Sequence, residues 1–132
     1  MRLELLEYVS ENLPKDFDPY YIYLIIVDNQ EVGRIVYREG DDLSRYYDGH
    51  IGYHIEEEYR GHHYSYDACL LLKEKIDKEY VYITCDPGNI ASQRIIEKLG
   101  CEFIESSIIP RSLRHVFNKY EKEKLIYRWW LK

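Results

Sequence analysis

Hydrophobic and polar positions alternate with a period of two through the first part of the chain, which predicts strands rather than helices. Residues 3–9 (LELLEYV) form a first strand, and Ser10 to Asp18, closed by Pro14 and Pro19, is a short connection. Tyr20 to Val27 (YYIYLIIV) and Glu31 to Arg38 (EVGRIVYR) flank Asp28-Asn29-Gln30, so the two runs fold back on each other as an antiparallel hairpin. Glu39 to Arg45 reads as a polar loop. Tyr46 to Glu56 alternates again, with Ile51, Tyr53 and Ile55 on one face and His50, Gly52 and His54 on the other.

The period then changes. Ala68, Leu71, Leu72 and Ile76 recur at spacings of three and four, which predicts an amphipathic helix over Tyr64 to Lys78 with Lys73, Glu74, Lys75 and Asp77 outward. Tyr80 to Cys85 (YVYITC) is a nearly continuous β-type run suited to a strand buried on both faces. Asp86-Pro87-Gly88 ends it, and Asn89 caps a second helix running to Leu99, whose Ala91, Ile95 and Leu99 form a stripe before Gly100. Cys101 to Ile109 is a strand closed by Pro110, residues 111–123 a charged connection, and Lys124 to Leu131 a last strand with one of Trp129 and Trp130 facing inward. Without repeats or low-complexity linkers, this order predicts one α/β domain over residues 1–132 with a mixed sheet.

Composition sharpens this picture only in places. Fifteen tyrosines suit half-buried strands. A net charge of −6 repels phosphate backbones and anionic lipid, which disfavours nucleic-acid and membrane partners. Arg111, Arg114, His115, Lys119, Lys122 and Lys124 interleave with Phe117 and Tyr120, but Glu121 and Glu123 break the run into a solvated loop. Three dispersed cysteines, Cys69, Cys85 and Cys101, read as free thiols of a reducing compartment. The N-terminal residues lack the pattern of a signal peptide, so a cytoplasmic location is expected.

The chemistry concentrates between the strand ending near Ile55 and the helix starting near Tyr64, in Glu56-Glu57-Glu58-Tyr59-Arg60-Gly61-His62-His63-Tyr64-Ser65. A strand, a tight Gly-containing turn and a helix aim successive backbone N–H groups at one point, which suits a pyrophosphate. The loop lacks the G-K-[ST] and G-x-G-x-x-G signatures, which argues against nucleoside triphosphates and NAD. Glu56 to Glu58 with His62 and His63 lack the spacing of a metal site, and no metal is expected.

The runs HIGYHIEEEYRGHHYSYDACLLLKEKI and YVYITCDPGNIASQRIIEKLGCEF resemble the two core motifs of the GCN5-related N-acetyltransferase (GNAT) superfamily. The resemblance implies a mostly antiparallel sheet, splayed between the strand ending at Ile55 and the strand Tyr80 to Cys85, with helices on its faces and acetyl-CoA entering the gap. Carried over by position, the backbones of Tyr53 and Ile55 meet pantetheine and the thioester carbonyl. Arg60, Gly61, His62, His63, Tyr64 and Ser65 form the pyrophosphate loop, and Asn89 is the asparagine of the second motif. His63 stands where that loop usually has a glycine. Ile96 replaces the tyrosine that serves the departing thiolate in many members, while Ser92 matches the N-x-x-S arrangement of the ribosomal-protein acetyltransferases.

The implied reaction is direct attack of a primary amine on acetyl-CoA, with Ser92 serving the thiolate and His54 or Glu56 taking the amine proton. The alternative is a CoA-binding sensor or docking module without catalysis. The acceptor is a small-molecule or peptide amine, and the net charge leans toward cationic ones. Ser10 to Pro19 is too short for two helices, leaving the acceptor side open or completed by a partner chain. An exposed sheet margin with Trp129 or Trp130 admits a homodimer.

Overall fold

A computed structural model describes residues 1–132. The strands are β1 (Arg2–Val9), β2 (Tyr20–Val27), β3 (Gln30–Arg38), β4 (Ile51–Ile55), β5 (Tyr80–Cys85), β6 (Glu102–Ile108) and β7 (Glu123–Trp130). The helices are α1 (Asp42–Arg45), α2 (Tyr64–Lys73) and α3 (Ile90–Lys98), and 3-10 turns cover Glu57–Tyr59 and Arg111–Val116. The strands make two antiparallel sheets, in the order β1-β2-β3-β4 and β5-β7-β6. The α/β architecture and the splay follow expectation. No ladder joins β4 to β5, so the sheet opens between them.

Asp28 and Asn29 both adopt left-handed backbone, at φ 51° and 63°, the geometry whose twist lets a two-residue turn close the β2–β3 hairpin. Ile25, Val32, Ile35, Ile51 and Ile55 bring the inner face of the first sheet against Ala68, Cys69 and Leu72 of α2, while Val81, Ile83, Cys85 and Trp129 supply the second sheet's share of the core. Trp129 is buried and Trp130 exposed, as strand alternation requires.

Several boundaries differ from the sequence reading. The strand expected over 46–56 is confined to Ile51–Ile55, because Gly49 turns the chain at φ +76° and the buried Arg45 pins the preceding loop through Asp48 at 2.9 Å and Asp18 at 3.3 Å. Part of the expected 39–45 loop is the single turn α1, capped by the Asp41 carboxylate, which accepts from Ser44 N–H. Helix α2 stops at Lys73 rather than Lys78. Tight turns from Lys75 to Leu72 and from Ile76 to Lys73 then tuck Ile76 into the core. In α3 the buried face is Ser92 and Ile96, with Ala91 exposed, rather than the Ala91-Ile95-Leu99 stripe. The 111–123 connection contains the 3-10 turn, held to the 10–19 loop by His115 and Asp16 at 2.9 Å.

His50 is the largest departure. Grouped by alternation with Gly52 and His54, opposite the face of Ile51, Tyr53 and Ile55, it is fully buried and links the two sheets. Its carbonyl accepts from Arg38 N–H of β3 at 2.6 Å, and its N–H donates to the Tyr82 carbonyl of β5 at 2.8 Å. Tyr82 N–H in turn donates to His50 Nδ1 at 3.0 Å, and Nε2 meets the Gly40 carbonyl at 3.2 Å. The neutral ring with its proton on Nε2 satisfies both partners. The sheets are therefore fastened at the start of β4 and free to part beyond it.

Candidate active site

The β3–β4 register decides which backbone groups face the opening. Glu56 N–H bonds the Val32 carbonyl at 2.9 Å, so His54 and Gly52, two and four residues earlier, also turn their polar backbone toward β3. By the same alternation Tyr53 and Ile55 turn theirs toward the gap. No strand is laddered to β4 on that side. The Ile55 carbonyl is already taken by Arg60 Nε at 2.9 Å, which folds the following loop back over the strand end.

From that point the chain presents a run of free donors. The N–H groups of residues 61–66 make no intramolecular hydrogen bond, and the first helical one is Asp67 N–H to the His63 carbonyl. A helix start leaves four such groups, and the preceding turn extends the set. Gly61 has φ +90°, and His63 sits in the left-handed region at φ 62° without giving α2 a side-chain cap. The geometry normally supplied by glycine is thus kept by a histidine under strain. His63→Gly is expected to stabilise the fold by about 0.5–1 kcal/mol, because the relieved strain of about 1–2 kcal/mol exceeds glycine's extra unfolded-state entropy. Thermal denaturation reads this as a rise in Tm; an unchanged or lower Tm contradicts it.

A cavity of about 560 Å³ follows this loop. Tyr53, His54, Ile55, the residues from Tyr59 to Ser65, Asn89 and Ser92 line it, together with Ala91, Arg94 and Ile95 of α3. Two arginines and three histidines border it and no carboxylate does, in a chain of net charge −6. Arg94 escaped the sequence reading; its signal was its place on the helix that Asn89 opens.

Tyr53, Asn89 and Ser92 also line a second cavity, of about 360 Å³, on the far side of the gap. Asn89 caps α3 by accepting from Ser92 N–H at 3.1 Å, which rotates Ser92 inward. The Ser92 hydroxyl then meets the Tyr53 hydroxyl at 2.7 Å. Burial raises the Tyr53 pKa well above its ordinary value, so the pair is a neutral, proton-bearing bridge between the two cavities.

His54 lines only the first cavity, and Glu56 lines neither. Both are more than half exposed, 3.9 Å from each other, and neither lines the second cavity. That cavity instead holds Asp86 at the end of β5, paired with Lys124 Nζ at 2.8 Å, and Glu121, 3.1 Å from the same nitrogen. Phe17, Val116 and Phe117 wall it, so the short 10–19 connection and the end of the 3-10 turn contribute to this side. No group of His, Cys, Asp and Glu is placed to hold a metal ion.

The model of the GNAT acetyltransferase domain matches residues 4–102. The chain belongs to the GNAT acetyltransferase family. Curated proteins yield no match. Solved structures of GNAT enzymes share the fold. The acetyltransferase from Salmonella typhimurium that modifies the N-terminal serine of ribosomal protein L7/L12 aligns at TM-score 0.64 and 17% identity over 83% of this chain and 62% of its own. The microcin C7 self-immunity acetyltransferase MccE, solved with acetyl-CoA and AMP, aligns at 0.66 and 16% over 83% and 59%. A GNAT-family acetyltransferase from Bacillus anthracis aligns at 0.62 and 22% over 85% and 66%. The chain thus spans 59–66% of the length of these structures. Within it, no helix is long and apolar enough to cross a membrane.

Proposed function

We propose that the chain is an acetyl-CoA-dependent N-acetyltransferase that acetylates a primary amine by direct attack. The observation that carries this reading is the run of free N–H groups over residues 61–66, opening on a cavity bordered by Arg60 and Arg94 and by no carboxylate. Such a surface fits a pyrophosphate. Gly61, His62, His63, Tyr64 and Ser65 would hold the diphosphate, with Arg60 and Arg94 adding charge. The outward N–H groups of Tyr53 and Ile55 would pair with the pantetheine arm and polarise the thioester carbonyl. Acetyl-CoA, when bound, supplies the activated acetyl group.

Ser92 and Asn89 stand between the two cavities, which suits Ser92 to hydrogen-bond the departing sulfur. Tyr53, donating to Ser92, frees the serine proton for that sulfur. For the amine proton, Asp86 has the better position, since it shares the second cavity with Ser92 while Lys124 occupies only one of its oxygens. Asp86→Asn is expected to lower kcat/KM about 100-fold, whereas His54→Gln and Glu56→Gln change it less than about threefold. The reverse ranking in steady-state assays would return the base to the strand end.

Direct attack is also supported by the thiols. Burial pushes Cys69 and Cys101 up to about 12 and raises Cys85, so thiolate is scarce near neutral pH. Cys69→Ala and Cys85→Ala should each retain most turnover. A folded variant of either that binds acetyl-CoA yet transfers nothing would require an acyl-enzyme. Measuring acetyl-CoA consumption against a panel of primary amines tests the whole reading. Binding without transfer to any amine would leave a sensor or docking module.

A further inference from the structure

Arg38, at the end of β3, reaches into the second cavity, and its guanidinium lies flat against Gly52 of β4. A methyl group on Gly52 would sit 2.8 Å from Nη2 and 3.1 Å from Nη1, so the bare backbone at this position is what admits the guanidinium. Its one hydrogen bond is long, 3.4 Å from Nη1 to the Gly49 carbonyl, which leaves most of its five N–H donors unspent.

The carboxylates around it are paired with other cations. Asp48 is held by Arg45 at 2.9 Å, with its other oxygen shut away from solvent, and Asp86 and Glu121 share Lys124 at 2.8 and 3.1 Å. None of them forms an ion pair with Arg38. Desolvation depresses the Arg38 pKa, although an arginine remains charged at any physiological pH. A guanidinium so placed, in a cavity walled by Phe17 and Phe117, matches a planar oxyanion that accepts two parallel hydrogen bonds.

We propose that the acetyl acceptor is a small amine that also carries a carboxylate, gripped by Arg38, with an apolar portion against Phe17 and Phe117. This rests on the N-acetyltransferase reading and narrows it. Arg38 therefore adds a selection for the carboxylate that the overall charge alone does not make. Amino acids and short peptides both offer this chemistry, and testing each beside its amide distinguishes them.

The test compares kcat/KM for free amino acids and dipeptides with their C-terminal amides, at fixed acetyl-CoA. In the unaltered protein, the carboxylate form of the best substrate should exceed its amide by about 10- to 100-fold, the worth of one charge-assisted hydrogen-bonded pair. Arg38→Gln should bring that ratio to within about twofold of one, with Arg38→Lys intermediate because a point charge lacks the fork. Gly52→Ala, which displaces only the flexible end of Arg38, should also reduce it. Equal rates for acid and amide in the unaltered protein, or a ratio that survives Arg38→Gln, would overturn the proposal while leaving acetyl transfer intact. Absence of transfer to every amine would overturn both.

Discussion

Ser92→Ala is expected to lower kcat by about 100- to 1,000-fold, the usual cost of removing one donor aimed at charge that develops in the transition state. Acetyl-CoA affinity should stay within about threefold, because the hydroxyl meets the sulfur only as the thioester breaks. The substitution also leaves the Tyr53 hydroxyl without its 2.7 Å partner, at a cost of about 1–3 kcal/mol in stability. Denaturation and calorimetry on the same preparation separate the two effects. Tyr53→Phe keeps Ser92 and removes the group that orients it, so kcat should fall by a smaller factor, about tenfold. Full kcat in Ser92→Ala on an accepted amine would reduce the serine to a helix residue.

The second large effect is on stability and falls on His50. Burial pushes its pKa down to about 4 from an ordinary 6.5. Below pH 6.5 the unfolded chain takes up a proton there that the folded chain refuses, so stability falls as the pH drops from 6.5 and the loss levels off below about 4. The full loss at this one residue is on the order of 3 kcal/mol. Protonating Nδ1 would also break its bond from Tyr82 N–H and loosen the fastening between the sheets. His50→Phe preserves much of the stacking with Tyr37 and Tyr82, centroids 6.4 and 6.1 Å away, but orphans the Tyr82 amide. It should cost about 2–4 kcal/mol at pH 7 and flatten the decline between pH 6.5 and 4. Denaturant melts of both proteins at pH 7 and 5 check this; parallel declines would place the acid-sensitive group elsewhere.

His50 also shows where sequence pattern stops being informative. Alternation located β4 and its inward residues Ile51 and Ile55, because a half-buried strand imposes a period of two on its side chains. His50 lies one residue before the strand, where Gly49 has turned the chain, so extending the alternation grouped it with the exposed His54. Only the tertiary pairing of β3, β4 and β5 reveals its four hydrogen bonds.

The two halves of the site were unequally legible for the same reason. The loop from Arg60 to Ser65, Asn89 and Ser92 are contiguous or lie one helical turn apart, and local motifs carry them. Arg38, Glu121, Phe17 and Phe117 come from distant segments that meet Asp86, three residues before Asn89, only after the sheets and the 3-10 turn pack together. The residue that admits Arg38, Gly52, gives no sign of this in the sequence, since the space it leaves is filled from another strand.

The proposed entry of acetyl-CoA between β4 and β5, with its diphosphate on the loop before α2, can be followed through backbone amide resonances during titration with CoA. The amides of residues 61–66 should shift most, with those of Tyr53 and Ile55 next, and all should saturate together at one equivalent. The far sheet edge at β1 should remain still. Saturable binding that leaves residues 61–66 unmoved, or no binding at millimolar CoA, would contradict the account.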